Sequence, residues 1–264
     1  MNVIISAILI GVVCFFLYIK RKLTKSGAVA AYLVGVATVV GVGAAGLLLY
    51  AVFFGSSIMM GRLRRSTVDA DVVDKSGARD ANQVLANGGV AALCSLFVFF
   101  FPNYALLGIV GFVGSIAAAT ADTWASELGK LSKEKPVHII TRESVPQGVS
   151  GAVSGLGTAA AIAGSFVISV TAILIWWSLT SLSHVWLLFF TIIGFIANLV
   201  DTLMGALYQT LYKCPECGAI TEKRYHCTET IQTKGISFVT NDLVNLTCTG
   251  AGAVLSIAVV IMIM

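Results

Sequence analysis

Long apolar runs, separated by short charged segments, set the pattern of this chain. The runs cover about 2–19, 27–42, 44–60, 82–101, 104–124, 150–177, 184–208 and 241–263. Each approaches the roughly 20 residues a helix needs to cross a hydrocarbon core, with 27–42 short. None alternates with period two, and only helices or closed barrels satisfy their backbone hydrogen bonds in lipid. The pattern therefore predicts an all-α, polytopic transmembrane helical bundle of about eight spans. It forms a single integral membrane domain over 1–264, with loops at about 61–81, 129–149 and 209–240. Residues 27–60 admit two readings, a tight hairpin at Gly41–Gly46 or one long span. One span would put Arg62, Arg64 and Arg65 on the wrong side of the charge pattern, which favours the hairpin.

The basic residues fall in four clusters: Lys20 to Lys25; Arg62, Arg64, Arg65, Lys75 and Arg79; Lys130 to Arg142; and Lys213 to Lys234. Eight spans place all four on one side. The opposite connections (Gly43, Phe101–Tyr104 and Ser178–His184) hold no Lys, Arg, Asp or Glu. The positive-inside rule makes the charged side cytoplasmic and both termini extracytoplasmic, in a bacterial or archaeal plasma membrane. Lys20 to Lys25 follow the first apolar run instead of preceding it, so that run reads as a retained span and not a signal peptide.

Composition agrees. Apolar residues make up 57% of the chain and charged residues 11%, where a soluble domain has about 25% charged. The net charge of +4 belongs to the loops. They lack the aromatic interleaving of a nucleic-acid surface, so no nucleic-acid partner is expected. Gly148, Gly151, Gly155, Gly157 and Gly164 suit close helix packing.

Ionisable groups at membrane depth point to function. Five acids stand at the charged ends of spans: Asp80, Asp122, Glu127, Asp201 and Asp242. Asp80 and Asp242 lie near helix N-termini, where capping is an alternative explanation. Asp122 and Asp201 lie at helix C-termini, where the dipole disfavours negative charge and a cation or proton is needed. Carboxylates meeting there would suit Mg²⁺, which takes a few carboxylates plus substrate phosphates. Asn82, Gln83, Asn87, Gln209, Asn241 and Asn245 add polar groups at the same level, and Thr141 and Arg142 stand near the sixth span. No Walker A sequence is present. Asp74–Gly88 begins like the signature of alcohol phosphotransferases that use CDP-linked lipids, but Ala92 stands where a later aspartate belongs, which rules that family out.

Cys214-Pro215-Glu216-Cys217-Gly218 and His226-Cys227 form a separate cluster. On a reducing face, Cys-x-x-Cys-Gly reads more naturally as zinc ligands than as a disulfide. Adjacent His-Cys ligation is awkward and the usual second spaced pair is missing, so a structural Zn²⁺ at 214–227 and a metal-free loop both stand.

Taken together, Gly77-Ala78-Arg79-Asp80 with Asn82–Gly89, Ala121-Asp122-Thr123-Trp124-Ala125-Ser126-Glu127-Leu128-Gly129, Val145-Pro146-Gln147-Gly148 with Gly151–Ser154, the Cys knuckle and Asn241-Asp242-Leu243-Val244-Asn245 are specific. Over nearly its whole length the chain resembles an integral membrane family that includes plant and cyanobacterial phytyl-phosphate kinase and uncharacterised multi-span proteins. The resemblance implies transfer of a γ-phosphate from CTP or ATP to an isoprenoid monophosphate at the lipid bilayer, with Mg²⁺. On that reading Asp80, Asp122 and Asp201 hold the metal, supported by Glu127 and Asp242, and Arg79 and Arg142 hold phosphates. Asn82, Gln83, Asn87, Thr123, Ser126, Thr141, Gln209, Asn241 and Asn245 contact nucleotide or acceptor. The alternative is a lipid or small-molecule transporter, favoured by a weak likeness between segments 88–123 and 151–202.

Overall fold

The computed structural model describes residues 2–65, 77–178 and 180–264. Lys75, the middle of the 61–81 loop and the side chains of Arg64 and Arg65 lie outside the described residues. The apolar runs are helices: α1 Val3–Ile19, α2 Lys25–Gly41, α3 Leu47–Arg65, α4 Ala81–Phe100, α5 Ala105–Gly129, α6 Gly155–Ala172, α7 Ser183–Leu207 and α8 Asn241–Ile263. A π-helical turn, Ile173–Trp177, extends α6. Among the described residues, six helices are long and apolar enough to cross a membrane. The other two, α1 and α2, have 17 residues each. At about 1.5 Å per residue these reach about 25 Å, a little short of a typical hydrocarbon core.

The 27–60 segment is two helices. Gly43 takes a positive φ of 85°, and a short 3₁₀ turn over Ala44–Gly46 leads into α3. Ser95 of α4 closes this turn. Its Oγ accepts the Val42 N–H at 3.0 Å and lies 3.0 Å from the Thr38 carbonyl, to which it donates. Backbone groups freed by the turn thus find partners inside the bundle, as apolar surroundings require. The sixth run begins later than its apolarity suggests. Ser154 caps α6 by accepting the Gly157 N–H at 3.1 Å, and the preceding Ala152–Val153 (β2) pairs with Val137–His138 (β1). The loop between α7 and α8 is a three-stranded antiparallel ribbon of order β4-β3-β5, from β3 Leu211–Lys213, β4 Ile220–Thr221 and β5 Ile231–Lys234. The helical bundle therefore carries small β-structures in two loops, which an all-α reading omits.

Helix α5 is the axis of the bundle. Val110, Phe112, Val113, Ile116, Ala117, Ala118 and Ala121 are fully buried, and α3, α4, α6, α7 and α8 pack around it. Small residues allow this. A Cβ on Gly114 would stand 2.5 Å from the Gly252 carbonyl oxygen of α8, so the two backbones touch. In lipid, where apolar burial gives little drive between helices, such close contact carries the association. Ile4, Ile8 and Phe15 of α1 and Leu188 and Ile192 of α7 stay exposed, as lipid-facing positions would. At one end, Trp176, Trp177, Trp186, Phe189 and Phe190 form a continuous aromatic cluster, with Trp177 and Trp186 stacked at 5.0 Å.

Gly114→Ala is expected to lower the thermal midpoint in detergent by several degrees. Gly250→Ala, which points into open space on α8, should leave the midpoint unchanged or raise it slightly, because Ala is the better helix former by about 1 kcal/mol. Equal midpoints for the two variants would show that the α5–α8 contact does not limit stability.

Candidate functional site

At the charged end, the C-terminal ends of α3, α5 and α7 meet the N-terminal ends of α4, α6 and α8 around a cavity of about 340 Å³. Helix spacing puts its polar residues on common faces. Asn198, Asp201, Thr202, Gly205 and Gln209 follow i, i+3, i+4, i+7, i+11 along α7 and its end. Asp122, Thr123, Ser126, Glu127 and Lys130 line the wall formed by α5. Gln83 and Asn87 enter from α4, and Asn241 and Asn245 from α8, each pair four residues apart.

The Asp122 and Asp201 carboxyl groups meet within hydrogen-bonding reach of each other. Two carboxylates so close need a proton or a cation between them. Asp201 Oδ2 is buried with no hydrogen-bond partner among the described residues. An orphaned buried carboxylate oxygen is costly unless a ligand takes it. The donor set of hard oxygens fits Mg²⁺.

Arg79 lines the same cavity, its guanidinium over the rings of Phe53 and Phe54, 5.4 and 4.9 Å from their centroids. Its backbone is fixed against the segment after α1. The Arg79 N–H donates to the Lys22 carbonyl, and the Thr24 N–H donates to that of Arg79, both at 3.0 Å. Burial lowers Arg79 to about 10 while the Glu127 carboxylate pulls the other way, so the guanidinium stays charged at neutral pH. Lys22, Arg62 and Lys130 complete a basic rim.

Gln209 ties three parts of this site together. Its Nε2 donates to Glu222 Oε1 at 2.7 Å, and its Oε1 accepts from Ser150 Oγ at 2.6 Å. Glu222, from the ribbon, thereby joins the cavity wall.

The structure thus gathers Asp122, Glu127, Asp201, Arg79, Gln83, Asn87, Thr123, Ser126, Gln209, Asn241 and Asn245. It does not bring the other expected residues to the cavity lining. Asp80 is an N-cap: its Oδ1 accepts the Gln83 N–H at 3.0 Å, and Gln83 Oε1 accepts the Asp80 N–H at 3.2 Å. The expected triad of metal-holding aspartates therefore reduces to the pair Asp122 and Asp201. Asn82 is exposed beside that cap. Asp242 sits in the first turn of α8, where its charge suits the helix dipole. Thr141 and Arg142 occupy an exposed turn, with Arg142 at a positive φ of 58° and its N–H bonded to the His138 carbonyl. Sequence reasoning missed Asn198, Lys130, Ser150 and Glu222. Asn198 was signalled by its place three residues before Asp201 on one helix face.

A second constellation lies on the ribbon. One sulfur or nitrogen atom from each of Cys214, Cys217, His226 and Cys227 falls within 4.8 Å of the others. The Cys217 backbone N–H chiefly draws the Cys214 thiol down to about 5, and contact with Cys217 pushes the Cys227 thiol up to about 12.

The profile of the integral membrane protein family DUF92 matches residues 8–253, from the first helix into the last. This chain belongs to the DUF92 family. An uncharacterised membrane protein of Methanocaldococcus jannaschii is 33% identical over 205 residues, covering 78% of this chain and 82% of that protein. An uncharacterised membrane protein of Synechocystis is 32% identical over 193 residues, covering 72% and 73%. The chloroplastic Protein VTE6 of Arabidopsis thaliana is 26% identical over 240 residues, covering 89% of this chain and 64% of that protein. No solved structure matches the chain. The DUF92 match spans both walls of the cavity, so the site is built from family sequence and not from an appended segment.

The Arg79–Glu127 attraction in this DUF92 chain is open to a mutant cycle. Arg79→Met keeps bulk but strips Glu127 of a nearby cation, and should cost on the order of 1–3 kcal/mol. Arg79→Met with Glu127→Gln should recover most of that loss in the same thermal unfolding assay. No recovery would mean that Arg79 stabilises only through its ring contacts.

Proposed function

We propose that the protein is a membrane phosphotransferase that moves a nucleotide γ-phosphoryl group onto an isoprenoid monophosphate, giving the diphosphate. The observation that carries this reading is the Asp122–Asp201 pair, with a buried Asp201 oxygen that has no hydrogen-bond partner among the described residues, in one cavity also lined by Lys22, Arg62, Arg79 and Lys130. The motif resemblance to phytyl-phosphate kinase supports the same class of reaction.

The chemistry asks little covalent work of the chain. An acceptor phosphate oxygen attacks the γ-phosphorus, and the bond from that phosphorus to the β–γ bridging oxygen breaks. The acceptor is already ionised, so no strong base is needed, and catalysis rests on positioning and charge. Asp122 and Asp201, with the Asn198 amide nearby, would hold Mg²⁺, which supplies positive charge against the phosphates when bound. Arg79, Lys130 and Arg62 would offset the remaining anionic charge, and Arg79 is held in place by its two rings. Gln83, Asn87, Asn241 and Asn245 offer amide donors and acceptors to nucleotide or acceptor. Glu127 would limit how strongly Arg79 binds anions.

A lipid phosphate at headgroup level could reach this end of the bundle while its tail stays beside the helices. In the proposed orientation this end faces the cytoplasm, in accord with its basic clusters. A transporter would need polar access from the other end as well. Toward that end Phe112, Trp177 and Phe190 are buried together with small hydroxyl residues such as Ser169 and Ser256, and among the described residues no Asp, Glu, Lys or Arg is buried there.

Purified protein in detergent, given Mg²⁺, labelled CTP or ATP and a panel of phytyl, geranylgeranyl and farnesyl monophosphates, should form diphosphate. Asp122→Asn and Asp201→Asn should each lower turnover at least a hundredfold. Asp80→Asn, which keeps a good N-cap, should retain it. Absence of transfer to every acceptor would refute the reading. For orientation, a cysteine placed at Lys133 should react with an impermeant maleimide only after cells are opened; reaction in intact cells would reverse the assignment.

A further inference from the structure

The ribbon between α7 and α8 carries a site that the phosphotransferase reading does not use. Two tight turns meet there. The first joins β3 to β4: the Cys214 N–H donates to the Ala219 carbonyl and the Gly218 N–H to the Cys214 carbonyl, both at 2.9 Å. Gly218 supplies the positive φ of 75° that this turn needs. The second turn is closed by the Tyr225–Glu229 bridge and by the Thr230 N–H on the Arg224 carbonyl at 3.0 Å. The His226 N–H donates to the Thr228 carbonyl at its tip, also at 3.0 Å. Folding the chain this sharply lets neighbouring residues His226 and Cys227 aim at one point.

We propose that Cys214, Cys217, His226 and Cys227 bind one structural Zn²⁺, and that this ion fixes the ribbon so that Glu222 is held at the cavity. The spacing fits. Zinc bonds of about 2.3 Å to sulfur and about 2.0–2.1 Å to nitrogen place tetrahedral ligands about 3.5–3.8 Å apart. His226 Nδ1 lies 3.4 Å from Cys217 Sγ and 3.3 Å from Cys227 Sγ, and all four ligand atoms fall within 4.8 Å of one another. Three soft sulfurs with one imidazole form a closed set, the pattern of structural and not catalytic zinc. Binding releases thiol protons and needs no redox partner.

The link to the cavity is covalent and short. Residues 222–224 run directly from β4 to the second turn, so the ion would clamp this segment at both sides. Thr230 Oγ1 donates to the Lys223 carbonyl at 2.8 Å, and the Lys223 N–H donates to Thr221 Oγ1 at 3.2 Å. Glu222 Oε1 then meets Gln209 Nε2. Glu222 is on this argument a positioning residue, acting through Gln209. That part rests on the proposed site; the zinc site itself does not.

Protein purified without added metal should contain one zinc per chain by elemental analysis. Cys217→Ser and Cys227→Ser should lose it, while His226→Cys should keep it. Replacement with Co²⁺ should give the visible bands of tetrahedral thiolate coordination. Chelation should raise amide exchange at least tenfold across 209–230 with no change in α5. Metal-free protein in which Cys214 and Cys217 have lost two hydrogen masses would overturn the zinc site in favour of a disulfide. Zinc present but exchange unchanged on chelation would overturn the positioning of Glu222. Zinc bound without phosphoryl transfer would count against the kinase reading alone.

Discussion

Backbone contact between helices is the constraint on which this structure depends. In a bilayer, apolar side chains lose little by facing lipid, so helices hold together where they can approach closely. Gly114 and Gly252 bring α5 against α8 with no side chain between them. The same economy of volume runs along α5, where Ala117, Ala118 and Ala121 are fully buried. A thin central helix lets its neighbours converge. The charged ends of α5 and α7 then lie near enough for Asp122 and Asp201 to touch.

That convergence has an electrostatic cost. Both carboxylates sit inside their helices, since α5 continues past Asp122 to Gly129 and α7 past Asp201 to Leu207, so the cost comes from two largely buried acids facing each other and not from the helix ends. Nothing in helix packing calls for an acid at either place. The surrounding cations are at hand but differ in kind. Lys130 extends from the end of α5, whereas Arg79 is locked by aromatic faces and by backbone bonds to the segment after α1. A fixed guanidinium suits recognition of a phosphate in one geometry, because little ordering remains to be done on binding.

Much of this was legible in the sequence, for reasons that differ by residue. The helices follow from the apolar runs, and the α2–α3 turn from the charge pattern. Ser95, which satisfies that turn, is separated from it by more than 50 positions and gave no local sign. Asp122 and Asp201 stand out as acids within apolar runs, but the helix-end argument for them does not hold, because the helices continue nearly two turns beyond them to Gly129 and Leu207. Asp80 proves to be the cap that its position near a helix N-terminus already offered as the alternative: Asp80-x-x-Gln83 has the spacing of a capping box, and only grouping it with the other acids at the span ends suggests a metal role. Glu222 had no sequence signal at all, since its place depends on the ribbon bringing it back to Gln209, just past the end of α7. The adjacent His226 and Cys227 look poorly spaced in a linear chain and converge only because a tight turn reverses there.

The aromatic cluster at the uncharged end has a consequence for measurement. The chain has four tryptophans. Trp176, Trp177 and Trp186 belong to that cluster, while Trp124 is tied to Ser56 beside the cavity by its indole N–H at 3.0 Å. Stacked indoles couple their electronic transitions, so near-ultraviolet circular dichroism should be dominated by the far end, and fluorescence quenching by ligands should be dominated by Trp124. The molecule thereby carries two native optical reporters, one for the integrity of its closed end and one for occupancy at its open end.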